Sequence, residues 1–228
     1  MNRQDLLFVA CAVLFLFPFF TFETVLDAYL AFNATHGMIA AFIKFAILST
    51  TGELIGLRIA TGKYNKPGFG ILPRAIVWGF LGLGINAAMI VFSSGVPSFL
   101  QYMGMNNAQE IFTGNVSFEK LFIAFTVSVF MNTIFGPVFM TLHKITDTHI
   151  LNNGGTLKGF LRPIKMGEII RNLNWDVQWN FVFKKTIPLF WFPAHTITFM
   201  LPGNMRVLCA ALLGVVLGVL LAIAARKN

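Results

Sequence analysis

Residues 75–97 read AIVWGFLGLGINAAMIVFSSGVP, twenty-three positions without an acidic or basic side chain. A membrane-crossing helix needs about 20 mostly apolar residues, so this stretch alone is long enough to span a bilayer. Working outward, comparable runs occupy 6–22, 38–60, 121–142, 186–201 and 206–225, and only 186–201 is short. Of the 228 residues 56% are hydrophobic and 11% charged, whereas a soluble domain has roughly a quarter of its residues charged. The expected fold is all-α: a polytopic transmembrane helical bundle of about six helices. The whole chain then forms one membrane-embedded domain over 1–228, with a basic cytoplasmic loop at 143–185. Prolines predict local departures. Pro18 kinks the first segment, Pro97 ends the regular part of the third, Gly136-Pro137 kinks or breaks the fourth, and Pro188 and Pro193 fall in the fifth.

Lys and Arg concentrate on the cytoplasmic flanks of membrane helices. The connections 22–37 and 101–118 contain neither, whereas 61–74 holds Lys63, Lys66 and Arg74. The stretch 141–185 holds seven, and the tail ends Arg226-Lys227. This alternation requires six crossings, with both termini on the basic, cytoplasmic or equivalent, side. The formal charge of +8 thus reports topology, and no nucleic-acid partner is expected. Lys120 and Arg206 are exceptions at helix ends, where long side chains snorkel. The first segment lacks the small-residue cleavage pattern of a secretory signal and is read as a retained helix. Between Leu157 and Arg171, apolar and basic residues interleave, which fits either an amphipathic helix on an anionic membrane surface or a plain basic loop. Cys11 and Cys209 lie in apolar runs, far apart, and are expected to be small packing residues.

Glu53 is the most informative single residue. It lies about fifteen residues into its segment, inside the hydrocarbon at about 1.5 Å per residue, where an ionisable group is costly. Lys44 projects from the opposite helix face, so the partner of Glu53 must come from another helix, or the carboxyl is protonated. Asn86, Asn132, Thr133, His195, Thr196 and Thr198 also fall at membrane depth. Each serves an interhelical hydrogen bond, or together they line one polar cavity. Glu53, Asn86, Asn132 and His195 are the candidate pathway-lining residues. Small residues recur every fourth position at Gly52, Gly56 and Ala60, and at Ala210, Gly214, Gly218 and Ala222. Such stripes let helix backbones approach closely, against a helix of the same chain or of a second copy in a homo-oligomer. There is no nucleophile-base motif, metal-ligand cluster or phosphate-cradling glycine loop. No catalytic residue, metal or cofactor is therefore assigned, and an enzyme is not expected.

The stretch from Lys44 to Glu53, with its Gly-acid pair, resembles the first conserved helix of the Mpv-type and 22-kilodalton peroxisomal membrane proteins. Trp179, Phe181, Pro188, Phe190, Trp191, Pro193, His195, Phe199, Pro202 and Arg206-Val207 resemble that family's C-terminal run. His195 stands where the family carries Gln, and Thr198 where it carries Asn. The resemblance covers roughly 38–228 and leaves the 6–22 helix as an addition. It implies a channel for small solutes in a mitochondrial inner or peroxisomal membrane. The short N-terminus lacks an Arg- and Ser-rich transit pattern, so a bacterial cytoplasmic membrane is the alternative home. The expected partners are the bilayer and small solutes. The other function class is a non-catalytic binding or assembly module, such as a substrate-capturing transporter subunit or a membrane scaffold.

Overall fold

The computed structural model describes residues 3–226; Lys227 of the basic tail lies outside them. The described residues are helical with no strand. Their contacts divide the chain into an N-terminal unit ending at Ala40 and a larger unit from Ala41 onward.

In the N-terminal unit, α1 (Arg3–Thr21) is apolar on every side and has no buried residue. Its Pro18 lies inside the helix, and Phe22 N–H still reaches the Pro18 carbonyl at 3.0 Å. Cys11 is exposed on it, so the expectation of a packed cysteine fails there. The connection read as a loop at 22–37 contains a second helix, α2 (Glu23–Thr35). Ala28, Ala31 and Ala34 supply helix propensity that a search for basic residues overlooks.

The larger unit takes in most of α3 (Gly37–Thr61), then α4 (Ile71–Tyr102), the short α5 (Ala108–Thr113) and α6 (Phe118–Asn152). The connection that follows holds α7 (Leu157–Phe160), α8 (Met166–Asn172) and one turn, α9 (Trp175–Val177). A π-helix (Gln178–Trp191) runs without a break into α10 (Phe192–Met200), and α11 (Gly203–Arg226) closes the chain. Five helices are long and apolar enough to cross a membrane: α1, α3, α4, α6 and α11 over Gly203–Ile223. The segment expected at 186–201 is instead the second half of the composite helix that begins at Trp175.

The third segment does not end at Pro97, and the fourth is not broken at Gly136-Pro137. Pro97 lies buried inside α4, and Gly136-Pro137 lies inside an unbroken α6. A proline removes one bond from the ladder, and packing on both sides can hold the helix through it. Helix α6 also continues ten residues past Leu142, so the first part of the stretch assigned to a basic loop is helix. The departure from α-geometry comes in the fifth segment. There Thr186 Oγ1 reaches the Phe181 carbonyl five residues back, at 3.3 Å, and the Phe192 amide reaches Ile187.

The core of this unit is centred on α6, which packs against α4 and α10. Phe45, Ile123, Val127, Met131 and Phe199 are almost fully enclosed. Glycine sets the closest approaches. A methyl group on Gly52 would stand 2.9 Å from the Cα of Val215, and one on Gly82 would stand 2.6 Å from the Cβ of Phe45. The two small-residue stripes meet each other within one chain: Gly56 faces Gly218 and Ala222, and Gly214 faces Ser49.

Candidate functional site

Arg74 stands in the first turn of α4, and only 7% of its side chain is exposed. A guanidinium presents five donors in a planar fork, and burial requires that they be used. Nη1 donates to Glu53 Oε2 at 2.6 Å, Nε donates to the Phe69 carbonyl at 2.7 Å, and Nη2 pairs with Asp147 Oδ1. The plane also lies over the Phe69 ring, 4.4 Å from its centre. The other oxygen of Glu53 accepts from Trp78 Nε1 at 3.0 Å and lies 3.2 Å from His143 Nε2. The Trp78 and His143 rings are in contact, 4.4 Å between centres. One cation thus ties a carboxylate of α3 to a carboxylate of α6, and both oxygens of Glu53 are occupied.

The loops beneath explain why Arg74 is held there. Gly70 and Gly155 both have positive φ, +74° and +68°, a conformation glycine adopts without steric cost. A methyl on Gly155 would stand 2.6 Å from the Gly68 carbonyl carbon, and one on Gly70 would stand 2.7 Å from Ile150 Cγ2. The α3–α4 loop and the turn that follows α6 are therefore in backbone contact. That contact fixes the start of α4 against Asp147.

A second polar group lies deeper in the bundle. Asn132 Nδ2 donates to the Ser128 carbonyl at 2.8 Å and sits 2.9 Å from His195 Nδ1. Ser128 Oγ donates to the Phe192 carbonyl at 2.8 Å, which links α6 to α10. The His195 ring packs on Trp191, 4.9 Å between centres.

Between the two groups lies a cavity of about 320 Å³, lined by α3, α4, α6, the π-helix, α10 and α11. Glu53, Asn132 and His195 all line it, and so do Gly52, Ala210, Gly214 and Gly218. Asn86 and Gly56 do not; Asn86 is buried on α4. Along the composite helix the lining residues are Gln178, Phe181, Val182, Thr186, Trp191 and His195. Ser49 Oγ and Trp191 Nε1, on lining residues, are buried without a hydrogen-bond partner among the described residues.

Sequence reasoning passed over Arg74, Trp78, His143 and Asp147. Arg74 was absorbed into the count of loop charges, and His143 was placed in the basic loop. The available signal was Asp147, an acidic residue in the stretch 141–185 that is otherwise dominated by Lys and Arg.

Composition and fold define an integral membrane protein of the all-α bundle class. No protein-family model, curated protein or solved structure matches the chain.

Proposed function

We propose that this membrane protein provides a permeability pathway for small solutes, with the 320 Å³ cavity as its solute-handling chamber. The observation that carries the reading is the convergence of Glu53, Asn132 and His195 on one cavity between helices. Ligand and solute sites in helical bundles are built this way, from a mostly apolar wall with a few placed polar groups. Membership of the Mpv-type family, which the sequence suggests, is part of the same proposal.

The ion cluster changes what Glu53 does in such a pathway. Paired with Arg74, its carboxylate is a structural anion and not a free cation-binding ring. Replacing it by Gln leaves Arg74 with Asp147 alone and adds one positive charge at the chamber end. Purified protein in liposomes should release small trapped solutes. Glu53→Gln should shift the preference of that release toward anions by about fivefold, the equivalent of about 1 kcal/mol. Liposomes that retain every solute tested, with correctly inserted protein, would overturn the pathway.

The second reading is a non-catalytic binding module. Full occupancy of Glu53 by Arg74, Trp78 and His143 favours it, because a satisfied cluster can hold a site without taking part in passage. Stoichiometric co-purification of a partner chain would support that reading.

A further inference from the structure

On each helix bordering the cavity, the lining residues run from a deep end to the end that bears the ion cluster. They pass from Phe45 to Glu53 on α3, from Met131 to Lys144 on α6, and from His195 back to Gln178 on the composite helix. The α6 stretch alone is about 20 Å long at 1.5 Å per residue, somewhat more than one leaflet of a hydrocarbon core about 30 Å thick. A volume of about 320 Å³ spread over that length is an elongated tube, partly open to its surroundings.

Its middle is walled by Phe135, Phe139, Met140 and Leu217, with Ser49 and Thr186 also on the wall partway along α3 and the composite helix. Asn132 and His195 mark the deep end. Gln178 and Lys144 mark the other. Gln178 is 7% exposed and lines the cavity. A side-chain amide on the wall offers both a donor and an acceptor to a polar group that enters the cavity. Lys144 adds a half-exposed ammonium whose nearest carboxylate oxygen, on Asp147, is 3.9 Å away. Most of the wall is apolar, so an apolar chain finds contacts along its whole length.

The geometry points to a single-chain amphiphile as the ligand of this cavity: an acyl chain along the tube, with an acceptor-bearing anionic head at Gln178 and Lys144. The inference rests on the reading of the cavity as the chamber and names what that chamber takes. A free fatty acid and a single-chain phospholipid share this chemistry.

The test uses full-length protein in phosphatidylcholine nanodiscs. Palmitic acid and lysophosphatidylcholine, each with a mid-chain diazirine, are photolysed separately and the adducts mapped by peptide mass spectrometry. Adducts are expected on Phe135, Phe139 and Met140, and the unlabelled form of the true ligand should remove them. Competition by palmitic acid or by lysophosphatidylcholine identifies the source. Leu217→Trp narrows the tube and should cut those adducts about tenfold, and Gln178→Leu should raise the half-maximal probe concentration several-fold. Ile134 and Val138 lie on the same stretch of α6 but are 59% and 66% exposed. Labelling confined to those two, unaffected by competitor in the unmodified protein, would overturn the inference even if Leu217→Trp failed to fold. Cavity adducts without solute release from liposomes keep the ligand and remove the pathway. Release without cavity adducts does the reverse.

Discussion

Arg74 holds two carboxylates from two helices, and its side chain is almost wholly removed from solvent. Removing one partner of a buried ion pair leaves uncompensated charge, which costs about 3–5 kcal/mol. Arg74→Ala should therefore lower stability by about that much in detergent unfolding, because both Glu53 and Asp147 lose their cation. Lys144→Ala should change it by less than about 1 kcal/mol, since that ammonium is half exposed and 3.9 Å from its carboxylate. Arg74→Lys should recover only part of the loss, because an ammonium cannot match the fork that reaches Glu53, Asp147 and the Phe69 carbonyl together. Glu53 itself was legible in the sequence, as a charge too costly to leave unpartnered at that depth. Its partners were not. An arginine beside a loop reads as topology, and nothing in the local pattern reveals that the neighbouring helix carries it inward.

Between elements, the spacing of small residues showed which faces pack closely, but not what they pack against. The pairing of α3 with α11 depends on where each helix crosses, a property of the folded chain. The contacts separate two otherwise similar substitutions. Gly52→Ala puts a methyl 2.9 Å from the Val215 Cα and should lower the unfolding midpoint, whereas Gly56→Ala meets nothing nearer than 3.6 Å and should leave it nearly unchanged. A parallel pair tests the loop contact. Gly154→Ala meets open space at φ +73° and should cost about 1–2 kcal/mol for the left-handed conformation alone. Gly155→Ala carries the same backbone cost plus collision with Gly68, so denaturant unfolding should show a clearly larger loss. The π-helix was the least legible element. Its backbone bonding steps back five residues, as from the Phe192 amide to Ile187, a geometry outside the 3.6-residue template by which helices are recognised.

For the molecule as a whole, composition alone carried the main result, because 11% charge over 228 residues leaves water no large surface to solvate. The distribution of Lys and Arg predicts an orientation that is open to direct measurement. In a variant with Cys11 and Cys209 replaced by Ser, a single cysteine at Lys63 and one at Asn107 should react with an impermeant maleimide from opposite sides of sealed vesicles. Labelling of both from one side would break the alternation. Helix α6 has a further consequence at this scale. Its 35 residues extend about 52 Å at 1.5 Å per residue, well beyond a hydrocarbon core of about 30 Å. The stretch from His143 to Asn152 thus extends beyond its apolar part, and Asp147 is on it. A thicker bilayer would draw the water boundary outward along that overhang, and a thinner one would let water in toward Glu53. Lipid thickness then acts as a dielectric setting on the Arg74 pairs, so the same sequence would hold its ion cluster with different firmness in membranes of different composition.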